Sequence, residues 1–138
     1  MPKLCANLTL LYNELPFLER FRAAARSGFA GVEYLFPYAY PCELLTDLLA
    51  ENGLVQILHN LPAGDWEHGE RGIACLPDRV GEFQDSVGRA IEYASALGCK
   101  QVNCLAGIAP ESASRTRIEQ TVVDNLKFAG PRFKRAGI

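Results

Sequence analysis

Asn7-Leu8-Thr9-Leu10-Leu11-Tyr12 is the stretch that decides between two folds. It leaves Leu4 to Leu8, a short apolar run that reads as a strand, and it contains no glycine. An open, doubly wound sheet that binds a nucleotide needs a glycine-rich phosphate loop at this place. The other architecture compatible with the rest of the chain is the first half of a (β/α)8 barrel, whose full length is typically ~250 residues.

Outward from that stretch, strand and helix alternate. Phe17, Phe21, Ala24 and Ala25 share a helical face, Pro16 suits the first turn, and Gly28 suits the residue just past the end. Gly31 to Phe36 reads as the second strand, closed by Pro37. Leu44, Leu45, Leu48 and Leu49 form the stripe of a second helix, stopped by Asn52-Gly53, and Leu54 to Leu58 is the third strand. His59 to Asp78 holds Pro62, Gly64, Gly69, Gly72 and Pro77 without periodicity, and a loop of that length in a compact domain is usually functional or disordered. Phe83, Val87, Ala90, Ile91, Ala94 and Leu97 then mark a long amphipathic helix ended by Gly98. Gln101 to Leu105 is the fourth strand. Ser112 or Ser114 caps a last helix carrying Ile118, Val122, Leu126 and Ala129, which Pro131 is expected to kink or end near Ala129. Four βα units with short apolar strands predict an α/β fold with parallel strands, the N-terminal half of a TIM barrel.

The 138 residues have the length of one domain, so residues 1–138 are read as a single partial domain. With 14 Lys+Arg against 16 Asp+Glu and a net charge of -2, a nucleic-acid surface has no electrostatic support, and a small neutral or anionic metabolite is the better ligand class. Five scattered cysteines without a C-x-x-C pair point to a reducing cytoplasm, with Cys75 and Cys104 read as buried. No apolar run approaches the ~20 residues of a membrane-spanning helix, so no membrane partner is expected. No Walker loop, G-x-S-x-G or dinucleotide fingerprint is present, and His59 and His68 lack a third ligand at metal spacing.

Several segments resemble the hydroxypyruvate isomerases of the xylose-isomerase-like barrel superfamily. They are Cys5-Ala6-Asn7-Leu8, Gly28-Phe29-Ala30-Gly31-Val32-Glu33, and Phe36-Pro37-Tyr38. The strongest is the loop string His59-Asn60-Leu61-Pro62-Ala63-Gly64-Asp65-Trp66 with Gly69-Glu70-Arg71-Gly72-Ile73-Ala74-Cys75. Tyr93-Ala94, Ala96-Leu97-Gly98 and Val102-Asn103-Cys104-Leu105 continue the match. The resemblance implies interconversion of hydroxypyruvate and tartronate semialdehyde through an enediolate. It also implies a divalent metal in the full-length family and two glutamates that fall beyond Ile138. No catalytic residue or metal ligand is therefore carried over, and the chain is expected to bind no metal and to be inactive alone.

Barrel enzymes place chemistry at the carboxyl ends of the strands, which singles out Asn7, Glu33, His59 and Asn103 with the loop residues Trp66 and Arg71 as candidate substrate contacts. His59 either hydrogen-bonds a substrate oxygen or ties down the turn that follows it. Asn7 and Asn103 either donate to a substrate hydroxyl or satisfy nearby backbone. Glu33 is either a carboxylate in the lumen or half of a structural ion pair. Arg71 can hold the carboxylate of a 2-oxo acid with two parallel hydrogen bonds, the alternative being loop bracing against Glu67 or Glu70. Trp66 and Phe36 are substrate walls or packing. The alternatives are an isomerase of another short 2-oxo acid or sugar acid and a non-catalytic half-barrel that self-associates through its open sheet edges. A nuclease of the same superfamily is opposed by the charge balance and the loop match.

Overall fold

The computed structural model describes residues 2–138. Cys5–Asn7 (β1), Gly31–Glu33 (β2), Val55–Asn60 (β3) and Val102–Asn103 (β4) form one sheet in the order β1-β2-β3-β4. β1 pairs in parallel with β2 from Cys5 opposite Gly31 to Asn7 opposite Glu33, and β2 pairs in parallel with β3, with a bulge between Val32 and Glu33. The helices between and after the strands are Arg20–Arg26 (α1), Cys42–Glu51 (α2), Val80–Ala96 (α3) and Arg115–Ala136 (α4). Sequential parallel neighbours joined by helices are the topology of a barrel half, as the alternating periodicity predicts. No helix is long and apolar enough to cross a membrane among the described residues.

The chain divides into two compact units. One holds residues up to His59 together with Tyr93–Val102. Its core comes from Ala6 and Val32 on the strands, Phe21 and Ala24 on α1, and Leu45 and Leu49 on α2, all buried. Burying a side chain the size of Leu or Phe contributes about 1.5–3 kcal/mol, so these few positions dominate. Successive strand residues point to opposite faces. Cys5 is accordingly exposed, and Asn7 and Glu33 are half-buried, where Ala6 and Val32 are buried. Aromatic rings fill the space beyond the strand ends: Phe17 meets Phe21 and Tyr34 edge-on at 5.5 and 5.2 Å and stacks on Tyr40 at 5.2 Å. Tyr93 donates from its hydroxyl to the Tyr40 carbonyl at 2.9 Å.

The other unit holds Asn60–Glu92 and Asn103–Ile138. Ile73, Ala74, Cys75, Phe83, Val87, Ala90 and Ala129 are buried in it. Asn125 on α4 is 1% exposed and donates to the Ala74 carbonyl at 2.9 Å, which pins the helix to the preceding loop.

Several details differ from the sequence pattern, beginning with β1 and β4, which are shorter at both ends than Leu4 to Leu8 and Gln101 to Leu105. Pro16 precedes a short 3-10 turn, Phe17–Glu19, as its cap instead of occupying the first α-helical turn. β3 runs on through His59 and Asn60, because their polar side chains interrupt the apolar pattern while the backbone stays extended. β2 stops at Glu33, three residues early. The last helix, capped by Ser114 as one of the two alternatives had it, runs through Pro131 to Ala136 instead of ending near Ala129. Pro131 lies inside the helix, and the Arg132 side chain reaches back to donate to the Phe128 carbonyl at 2.7 Å.

Candidate functional site

In the first unit the carboxyl ends of β1 and β2 bring Asn7 and Glu33 together. Asn7 Nδ2 donates to Glu33 Oε1 at 3.0 Å, and Asn7 Oδ1 accepts from the Thr9 amide at 3.0 Å. Thr9 Oγ1 accepts in turn from the Leu35 amide at 2.9 Å. The ion pair considered for Glu33 is not among the salt bridges of the described residues, and its partner is the Asn7 amide. His59, 1% exposed, does not join them: its ring lies edge-on to Tyr38 at 6.0 Å between centroids, and Tyr38 meets Tyr93 at 5.1 Å. Phe36 is half-buried.

In the second unit the loop after β3 is tied down along its length. Leu61 N–H donates to the Asn103 carbonyl at 2.8 Å, and Asn103 Nδ2 donates to Asn60 Oδ1 at 3.0 Å. Further on, Gly72 and Ala106 form an antiparallel bridge, and Cys75 N–H donates to the Ala106 carbonyl at 2.7 Å. The approach at Gly72 is so close that a Cβ there would lie 2.2 Å from the Leu105 carbonyl oxygen, and φ is +113°. Only glycine fits. Glu70 is gripped by the Arg79 guanidinium and by the Asp65 amide, and these bonds hold its carboxyl below the ordinary range. The Glu70 carboxylate is therefore paired with Arg79, while Arg71 braces the loop through backbone carbonyls.

Arg71 is exposed and held differently. Its Nη1 donates to the Trp66 carbonyl at 3.0 Å and to the Glu70 carbonyl at 2.7 Å, while its guanidinium lies 4.1 Å from the centre of the Trp66 ring. Stacking and two carbonyls fix the plane of the fork, and Nε and Nη2 make no hydrogen bond with the described residues. A guanidinium edge of this kind has the donor geometry that matches a carboxylate.

Burial pushes the Cys75, Cys99 and Cys104 thiols up, although Cys104 is half-buried and not fully buried as expected. Among the described residues no three His, Cys, Asp or Glu side chains are grouped to hold a metal ion. Thr9, Asn60 and Arg79 were not singled out from sequence. Thr9 had a local signal, an asparagine two residues before it at a strand end, which favours an amide-to-backbone turn. The Arg79–Glu70 pair had none.

The model of the family described as xylose isomerase-like TIM barrel matches residues 21–138. The chain is 54% identical over 129 residues to the hydroxypyruvate isomerase of Escherichia coli (strain K12), covering 94% of this chain and 50% of that protein. It is 46% identical over 138 residues to the 2-oxo-tetronate isomerase of Pectobacterium atrosepticum, covering 100% of this chain and 53% of that one. Among solved structures, an AP endonuclease, family 2, from Brucella melitensis superposes with a TM-score of 0.95 at 43% identity, over 100% of this chain and 53% of that chain. The chain thus spans about half the length of the curated relatives it matches. The sheet order and these matches agree, and the chain belongs to the xylose isomerase-like TIM barrel family.

Proposed function

We propose that this chain is the N-terminal half of an isomerase that interconverts hydroxypyruvate and tartronate semialdehyde. The observation that carries the reading is the 54% identity to a hydroxypyruvate isomerase over 94% of the chain. The reaction moves a proton between adjacent carbons while charge builds on oxygen in an enediolate, and it needs a carboxylate base and an electrophile. By the resemblance to the family, that electrophile and the proton-transfer glutamates would come from the part of the barrel that this chain does not span. The residues of this chain bind and orient. Arg71, stacked on Trp66 with one edge of its fork unused, holds the substrate carboxylate. 2-Oxo-tetronate is the second substrate reading, favoured by the relative that matches all of this chain at 46% identity.

The chain alone is expected to be inactive, to reside in the cytoplasm, and to self-associate through β1 and β4, the outer strands of its sheet. The test is turnover of both 2-oxo acids by the chain alone and by the chain joined to the second half of the Escherichia coli relative. Turnover by the joined protein only is the expected result. A joined protein that folds and converts neither acid overturns the isomerase reading. In the joined protein Arg71→Lys raises KM about tenfold or more, since lysine offers a point charge and cannot present two parallel donors; an unchanged KM removes Arg71 from the site.

A further inference from the structure

The polar arrangement at the ends of β1 and β2 exceeds what packing requires. An asparagine side chain can present either its oxygen or its nitrogen to a neighbour, but Asn7 Oδ1 is taken by the Thr9 amide, so Nδ2 must face Glu33. Thr9 is itself held by Leu35, and the Leu8 amide donates to the Glu33 carbonyl at 2.8 Å. The β2–β3 register shifts between Val32 and Glu33, and a bulge re-aims the side chain that follows it. Glu33 is thus a half-buried carboxylate with Oε1 fixed, while Oε2 accepts no hydrogen bond from the described residues. Two residues back along the same strands, Cys5 and Gly31, with Lys3, Leu4, Ala30, Val55 and Ile57, line a mostly apolar recess of about 340 Å³. The Cys5 thiol on that face is pushed up, chiefly by burial and then by Glu33.

An ionised carboxylate only accepts hydrogen bonds, and those it takes from hydroxyl groups are short and strong. We propose that Glu33 Oε2, oriented by Asn7, accepts a hydrogen bond from the hydroxyl of a short hydroxy-carbonyl ligand and so selects hydroxylated 2-oxo acids over their deoxy analogues. The choice of ligand rests on the isomerase reading; the acceptor itself rests on the geometry of Asn7, Thr9 and Glu33.

The experiment titrates the 15N-labelled chain with hydroxypyruvate and with pyruvate, which lacks the hydroxyl, while following the Asn7 side-chain amide. Hydroxypyruvate is expected to shift that resonance and to bind about tenfold more tightly than pyruvate, the loss expected for one charge-assisted hydrogen bond. Glu33→Gln, which keeps the shape and presents an amide, brings the two affinities together. Asn7→Ala, which frees the carboxylate without removing it, lowers the ratio part of the way. Equal affinities for the two acids in the unaltered chain, no binding of either, or a ratio unchanged in Glu33→Gln each overturn the proposal. Discrimination by Glu33 in a joined protein that converts neither acid keeps the hydroxyl contact and removes the isomerase reading; turnover with a ratio indifferent to Glu33→Gln does the reverse.

Discussion

The strand ends of the first unit and the loop of the second hold polar groups in opposite ways. At Asn7 and Glu33 the side chains are fixed by a chain of single hydrogen bonds that leaves one carboxylate oxygen unused. In the loop, backbone meets backbone: Gly72 bridges Ala106, Leu61 bonds Asn103, and Glu70 is taken up by Arg79 and Asp65. The first region keeps its hydrogen-bonding capacity for something else, whereas the second uses its own to make a long irregular segment rigid. That rigidity gives the stacked Trp66–Arg71 pair a fixed platform.

The largest effect that tests this contrast is Gly72→Ala. A Cβ there would meet the Leu105 carbonyl at 2.2 Å in a backbone conformation disfavoured for any other residue, so roughly 3 kcal/mol or more of stability is lost. Gly28→Ala in the first unit shares the positive φ, at +86°, but has open space around it and costs only about 1 kcal/mol. Urea unfolding of the two variants measures the difference. Equal losses would mean that backbone strain alone matters and that the loop is not clasped.

Next comes Asn7→Asp, which sets a second carboxylate at hydrogen-bond distance from Glu33 and removes the donor. Like charges that close repel, and a loss of about 1–2 kcal/mol at pH 7 is expected, with Asn7→Ala costing less. An aspartate variant no worse than the alanine variant would show that Asn7 does not face the carboxylate.

The fold was legible because its signals are local. The stripe of Phe83, Val87, Ala90 and Leu97 foretold α3, and the missing glycine after β1 excluded the nucleotide-binding sheet. The site was legible only residue by residue. Asn7 and Glu33 stood out as polar residues at strand ends, yet their contact spans 26 positions, and nothing along the chain announces it. His59 stood out equally and went to the aromatic packing, because a polar side chain at a strand end has no sequence mark for which face it takes. Gly72 and Arg79 act through partners brought near by the fold, so sequence spacing was silent about both.

A smaller effect of opposite sign is expected from Tyr34→Phe. The Tyr34 side chain is 2% exposed, its hydroxyl has no hydrogen-bond partner among the described residues, and burial pushes its pKa up. A buried donor left without a partner costs stability, so removing it while keeping the ring that packs on Phe17 and Phe21 raises stability by about 1 kcal/mol. Thermal unfolding reads the gain. A loss instead would reveal that the hydroxyl is satisfied in solution and that the first unit spends more of its polar groups internally than the contrast allows.

The smallest effect is acid loosening of the loop. Glu70 is held below its ordinary value of 4.5, chiefly by the Arg79 hydrogen bond and then by the Asp65 amide. A carboxylate whose folded pKa is lowered contributes stability that is fully present above its ordinary pKa and is lost as the pH falls through the lowered folded value. The pair is partly open to solvent, with 30% and 34% of the side chains exposed, so the contribution is modest. Protection of the Asp65 amide against hydrogen exchange, corrected for the pH dependence of intrinsic exchange, should hold from pH 6 to pH 4.5 and fall below it. In Arg79→Met that release moves to higher pH, because the cation that favours the ionised carboxyl is gone. A release at the same pH in both proteins would assign the lowered value to the backbone amide alone. The Glu70 brace would then rest on the Asp65 amide and not on the Arg79 cation.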